Sequence, residues 1–415
     1  MTHRRIAIVG GGIVGLSIAL ELRERGHSIT LIDRGAPEAR VSYGNAGIVN
    51  PGSIFPLAGP SLRARIVRYA IGVDPALRIR WRALPAFAPW LGRFLANTTA
   101  AAWRRGTTAL APLVAAAPAA HRAFADRYGV GALYRTQGWL RVYRDARAFA
   151  ASAKERAQLR TYGIKTAAVS GQHLYDLEPA LDRGFSHGLW FVDAMTVDTP
   201  GALVAAFETA LDGRGGRRLP GSVRAIIPRT DSVSLVLEQQ REVEADLIVI
   251  AAGADADALI RPLGYRLPLA AERGYHVHVR LKDDARLARP IHDVAGAYVA
   301  APMAGAVRVT TGVELACADD PPNRAQLVHA LAAARAALPV ADTVPGSEWC
   351  GSRPSTPDGL PVIGLAARHP QIVFAFGHGH IGLATAPVTA QAIAALIAGE
   401  PPPIPLAPFS PGRFG

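Results

Sequence analysis

Residues 4–33 constrain this chain more than any other stretch. Arg4–Val9 reads as a buried strand and Gly10-Gly11-Gly12-Ile13-Val14-Gly15 as a glycine turn. Ile13–Arg25 reads as an amphipathic helix stopped by Gly26, and Ser28–Ile32 as a second buried strand. A β-turn-α-β run with nothing inserted is a mononucleotide-binding half-unit, and it commits the chain to a parallel sheet covered by helices. The glycines differ in role. Gly10 allows the tight turn, Gly12 lets backbone approach a pyrophosphate, and Gly15 lets the helix press on the sheet. The helix start at Ile13 and Val14 turns amides and a positive dipole end toward phosphate. Asp33 ends the second strand 18 positions after Gly15, where an acid suits an adenosine ribose hydroxyl, with Arg34 beside it.

Composition narrows the class around that unit. With 50% hydrophobic and 19% charged residues, the 415-residue chain is globular and long enough for two or three domain-sized units. The formal charge of +12 suits anionic substrates or anionic lipid, and no nucleic-acid-binding motif accompanies it. Two cysteines, Cys317 and Cys350, exclude a disulfide framework and point to a reducing compartment. His3, Arg4 and Arg5 before the apolar run Ile6–Leu20 imitate a signal peptide. However, Glu21, Arg23, Glu24 and Arg25 end the run, no small-residue cleavage site follows, and it is short for a membrane span. The expectation is a cytoplasmic protein without a transmembrane segment.

A second glycine turn closes the chain. The strand Ile372–Phe376 runs into Gly377-His378-Gly379-His380-Ile381-Gly382-Leu383 and a helix to Ala398. Such a helix start can aim amides at the N1–C2 carbonyl edge of a flavin, where charge gathers on reduction. Between the two turns, Leu62–Tyr128 reads as helices broken near Pro75, Pro85, Pro89, Pro112 and Pro118. Gly274–Leu281 and Ala306–Val313 alternate as strands. The alternation puts His276, His278 and Arg280 on one face and Tyr275, Val277 and Val279 on the other. The histidines form no H-E-x-x-H pattern, and no metal site is expected.

Six segments in order carry a resemblance across nearly the whole chain. They are residues 8–34, Ser42–Gly47, Asp246–Gly253, Arg273–His276, Gly351–Gly359 and the Gly377–Leu383 loop. Together they resemble the D-amino-acid dehydrogenase branch of the D-amino-acid oxidase, glycine oxidase and sarcosine oxidase superfamily. The resemblance implies an α/β fold, with a Rossmann-type FAD-binding domain interleaved with an α+β substrate domain on a large mixed or antiparallel sheet. The expected boundaries are 1–60, 150–262 and 350–400 for the FAD part, 61–149 and 263–349 for the cap, and 401–415 for a Pro-rich tail.

By the same resemblance, FAD would be held noncovalently. Ser42, Asn45, Ala46 and Gly47 would run along the flavin, Val223 would touch adenine, and Ala252 and Gly253 would close on the ribose and pyrophosphate. Gly379, His380, Ile381, Gly382 and Leu383 would hold the ring. Arg353 would clamp a substrate carboxylate, since a guanidinium matches it with two parallel hydrogen bonds. Either Tyr275 or His276 would reach the substrate. Cys350 falls one position from the cysteine that tethers flavin in sarcosine oxidases. The implied reaction is oxidation of an amino acid or cyclic imino acid, of D configuration, by hydride transfer from the α-carbon, with no protein residue assigned as general base. Electrons would pass to a quinone or another carrier, with peripheral contact at the inner face of the membrane through the stretch Trp81–Trp103. Two alternatives stay open: an oxygen-using secondary-amine oxidase of the glycine or sarcosine type, and a non-catalytic FAD-holding subunit.

Overall fold

A computed structural model describes residues 3–63, 69, 74–317 and 320–414. The glycine unit forms as its pattern requires: strand Arg5–Val9, helix Ile13–Glu24 and strand Ser28–Asp33. Arg5–Val9 pairs in parallel with Ser28–Asp33 on one side and Leu247–Ile250 on the other. Arg217–Pro220 and His369–Phe376 extend the sheet in parallel, and antiparallel Val362–Ala366 closes it at six strands. Its strands are near-continuous apolar runs because both faces are covered. On one face Ile13–Glu24 packs against Gly382–Ala398, and Leu16, Ile18, Leu20, Val388 and Ile393 are fully buried between them and the sheet. The stretch Gly379–Ala398 is apolar and long enough to cross a membrane, but most of it lies inside this core. The other face is covered by the meander Val223–Pro228, Val233–Leu237 and Glu242–Ala245.

The second large element is an eleven-stranded mixed sheet, whose longest strand is Ala270–Leu281. That strand pairs antiparallel with Ala306–Thr310 and with Trp349–Ser355, so Glu272 lies opposite Arg353 and His276 opposite Trp349.

Two pairs of elements take partners other than those expected. Thr166–Ser170 and His187–Phe191, read as part of the nucleotide-binding portion, are strands of the large sheet. Conversely, Ala100–Ala115 and Ala117–Tyr128, read as cap, bury Leu113, Val114 and Phe124 in the core shared with Ile13–Glu24. Neither shift changes element type; both change the partner, which periodicity does not encode.

The prolines break less than expected. Pro85 and Pro118 sit in first helical turns, where no amide bond is lost, while Pro89 and Pro112 lie inside continuous helices. The expected helical segment at 64–68 and 70–73 lies outside the described residues. The tail lacks periodicity yet is docked: Ile404 and Phe409 are buried, and Arg413 Nε meets Asp358 Oδ2 at 2.8 Å.

Candidate active site

The carboxyl ends of the parallel strands define one edge, where open α/β sheets bind ligands. Gly10 follows Arg5–Val9 there at φ 113°, and its amide donates to Ile32 O. A Cβ on Gly10 would lie 2.4 Å from Ala251 O, and one on Gly15 would lie 1.9 Å from Gly10 O. Both glycines are demanded by backbone packing. Gly12 differs, because its Cβ would meet only Ser42 Oγ, at 3.4 Å. Gly253, at φ 58° beside Ala252, would meet nothing within 4 Å. Two backbone stretches therefore approach a shared space from which side chains are excluded, which is the cradle a pyrophosphate requires.

The neighbouring groups fit this reading. Asp33 accepts from the amides of Gly11 at 2.6 Å and Gly35 at 3.1 Å, and from Arg40 Nε at 3.1 Å. A carboxylate has about four acceptor positions, so one remains for a ribose hydroxyl. Arg34 pairs with Asp255 at the rim, both exposed. Gly221 donates to Asp33 O and leads into Val223, at the same edge. Ser42 Oγ accepts from the Ile13 amide at 3.0 Å, capping the helix start next to Val14.

The Ser42–Gly47 segment is held from the large sheet, by residues outside every motif of the sequence. Buried Arg308 donates from Nη1 to Tyr43 O at 2.8 Å and Asn45 O at 2.5 Å, and from Nε to His278 Nε2 at 3.0 Å. Burial lowers its pKa to about 10, so it stays charged at neutral pH. Asn45 Oδ1 accepts from the Gly47 amide at 2.8 Å, folding the turn that carries Ala46. His276 stacks between His278 and Trp349 and reaches Gly44 O from Nδ1 at 3.3 Å. Burial, with Arg308 nearby, drives its pKa down to about 2, and the ring is neutral.

The strand sends the two neighbours to opposite faces. His276 shares the face of Glu272, Gly274 and Arg353, whose guanidinium lies over Gly274. Tyr275 faces away: its hydroxyl donates to Glu314 and accepts from the Asn323 amide at 3.0 Å, within a separate apolar core. Of the two neighbours named as candidates, His276 lies on the Arg353 face and Tyr275 on the other, as strand alternation requires. Cys350, opposite Tyr275, packs against that same core.

The terminal loop completes the site. Gly379–Ile381 forms a short turn into Gly382–Ala398, with Leu383 and Ile381 buried beneath it. Between this loop and the large sheet lies a cavity lined by Gly379, His380, Ile381, Glu272, Phe55 and Phe94, among others. Half-buried Arg353 stands beside it, close enough to act electrostatically on both Glu272 and His380. It donates from Nη1 to Gly312 O at 3.2 Å, and no carboxylate among the described residues pairs with it.

A glycine-built nucleotide edge facing a roofed cavity, with a half-buried guanidinium beside it, defines a two-part enzyme of the flavin-dependent oxidoreductase class. Residues 5–396 match the FAD dependent oxidoreductase family, known as DAO, and the chain belongs to it. It is 34% identical to a D-amino-acid oxidase of Bradyrhizobium diazoefficiens, over 99% of each chain. It is 30% identical to a D-amino acid dehydrogenase of Rhizorhabdus wittichii, over 96% of this chain and 97% of that one. Glycine oxidase from Geobacillus kaustophilus shares the fold at TM-score 0.78 and 20% identity, covering 99% of this chain and 98% of that one. The chain is an FAD-dependent oxidoreductase.

Proposed function

We propose that the chain oxidises an amino acid or cyclic imino acid at its α-carbon, with a D-amino acid or a D-proline derivative as donor. The observation that carries this is Arg353: a half-buried guanidinium with spare donors beside a cavity that meets the flavin loop. Its planar fork suits a carboxylate, and fixing the carboxylate fixes the α-carbon in one pose. Relatives named as oxidising D-amino acids, aligned over nearly all of the chain, support the same donor class. FAD, when bound, supplies the two-electron acceptor for hydride.

Gly10, Gly12, Ile13, Val14 and Gly15, with Asp33, Arg34, Val223, Ala252 and Gly253, would hold its adenosine and pyrophosphate half. Ser42, Asn45, Ala46 and Gly47, together with Gly379–Leu383, would hold the ring noncovalently. With FAD bound, the loop amides would favour the charge of its reduced form. Phe55, Phe94 and Leu57 give the cavity an apolar wall. A primary amine gives an imine that water converts to a keto acid.

Electrons then leave to a quinone or another carrier at the inner face of the membrane. Exposed Trp81 and Leu95 on the Trp81–Trp103 stretch support that contact. Recovery of all the native protein in a low-salt soluble fraction would remove it, and peroxide release without an added acceptor would favour oxygen.

The test of the donor site is Arg353→Lys. FAD should stay bound while substrate affinity falls about 100-fold or more, since lysine lacks the fork. Anaerobic bleaching of the flavin by a D-amino acid panel reads the loss; unchanged kinetics would take Arg353 out of the site.

A further inference from the structure

The buried acid of the roof is left without a role by this scheme. Glu272 is 5% exposed, faces the cavity and lies opposite Arg353 on the paired strand. Among the described residues no cation lies within ion-pair distance of it. The loop Gly377–Ile381 lines the same cavity.

We propose that Glu272 is the second pole of the substrate site: it receives the α-ammonium of a donor whose carboxylate lies on Arg353, and accepts its proton. This rests on the amino-acid reading above. An amino acid binds as a zwitterion, and its two charges are separated by one carbon. Glu272 and Arg353 are opposed residues of adjacent strands with side chains on one face, so they offer the complementary pair at short separation. The proton passes from the ammonium nitrogen to a carboxylate oxygen of Glu272. One N–H bond breaks and one O–H bond forms, no electrons leave either partner, and the nitrogen lone pair is freed to assist C–H cleavage. The resulting neutral carboxyl gives its proton to water after product leaves.

The surroundings suit the exchange. Burial pushes the Glu272 carboxyl up, and Ser355 and Arg353 oppose that push. His378 and His380 line the same cavity from the loop, and burial lowers both to about 4, so they are neutral across the pH range tested, while Phe55, Pro56, Leu57 and Phe94 add no titratable group. Arg273 of the same strand, and Glu314 opposite it on Val313–Leu315, belong to the other face with Tyr275.

The experiment is anaerobic stopped-flow reduction of the holoenzyme by D-alanine and D-proline from pH 6 to pH 10, with benzoate titrated as a carboxylate lacking an amine. In the native enzyme, the reduction rate should rise with a midpoint well below the ammonium pKa of the free donor. Glu272→Gln should reduce on the order of 100-fold more slowly at pH 7, approach the native rate near pH 10, and bind benzoate at least as tightly. Glu272→Asp should restore the native pH profile at a lower rate.

A native midpoint equal to that of the free ammonium overturns the proposal without any variant. So does a Glu272→Gln profile that superimposes on the native one. If benzoate leaves the flavin spectrum unchanged, or binds equally to Arg353→Lys, the carboxylate clamp fails and this inference goes with it. If benzoate binds through Arg353 and Glu272→Gln is unaffected, only the present inference fails.

Discussion

The two walls of the site are built from different material. The nucleotide edge is backbone: Gly10, Gly12, Gly15 and Gly253 bring main chain close and exclude side chains. The roof is side chain: Arg353, Glu272, His276, Trp349 and Arg308 project from paired strands of the large sheet. Backbone recognition needs glycine at fixed spacing, and it leaves a signature in sequence. Side-chain recognition needs only that certain residues share a face, and nothing in their spacing along the chain records which strands are neighbours.

The largest effect should come from the edge. Gly15→Val puts a branched side chain where a Cβ alone would lie 1.9 Å from Gly10 O, so the strand-turn-helix cannot close. The expected result is colourless protein, with stability lowered by more than about 4 kcal/mol in denaturant unfolding. Gly12→Ala sharpens the contrast. Its methyl meets only Ser42 Oγ, so the apoprotein should keep its melting temperature while FAD affinity drops. Equal damage from both substitutions would mean that Gly12 serves packing and not the cofactor.

That distinction explains what was legible. Residues 4–33 and the Gly377–Leu383 turn could be read because φ and close approach force glycine there. Arg353 was found through its segment's resemblance. Arg308 and Glu272 were missed because neither lies in a spaced motif; only the pairing of Ala270–Leu281 with its neighbours brings them to the site. One signal for Glu272 was present, since period-2 alternation from His276 back through Gly274 reaches it. Strand partners far apart in sequence likewise place Thr166–Ser170 and His187–Phe191 in the large sheet.

Next in size is Arg308→Met. It removes the donors to Tyr43 O, Asn45 O and His278 from a buried position, leaving two carbonyls without them. A loss of about 3 kcal/mol is expected, together with weaker FAD binding through a loosened Ser42–Gly47 segment. If FAD affinity holds while stability falls, the roof supports the fold and not the cofactor loop.

Acid should reveal both walls at once. His121 and His378 are buried, with pKa lowered by desolvation to about 4, and His276 is lowered to about 2. The unfolded chain takes up these protons near pH 6.5, whereas the fold refuses them. Their share of stability is therefore complete above that pH and is lost as pH falls toward 4, by about 1.4 kcal/mol per unit for each histidine. Glu178, raised to about 7 by burial, contributes with the opposite sign, so the bulk curve alone does not isolate the histidines. The measurement is the melting temperature from pH 7 to 4.5 in the native protein and in His121→Gln, which keeps a donor for Leu383 O. The variant should show the shallower decline; parallel curves would mean that His121 is protonated within the fold.

The smallest effect tests the face assignment within the roof itself. Tyr275 and His276 are adjacent, and strand alternation sends one to Glu314 and the other to Gly44. Tyr275→Phe keeps the ring in its apolar core and deletes the hydroxyl. Glu314 loses one partner but retains Arg80 Nε at 2.8 Å, and the Asn323 amide loses its acceptor. Stability should fall by about 1 to 2 kcal/mol, with kcat and KM for D-alanine within about twofold of native. A tenfold rise in KM at unchanged FAD content would put Tyr275 in contact with substrate. The strand would then have to slip by one residue, which would turn Glu272 and His276 out of the site together.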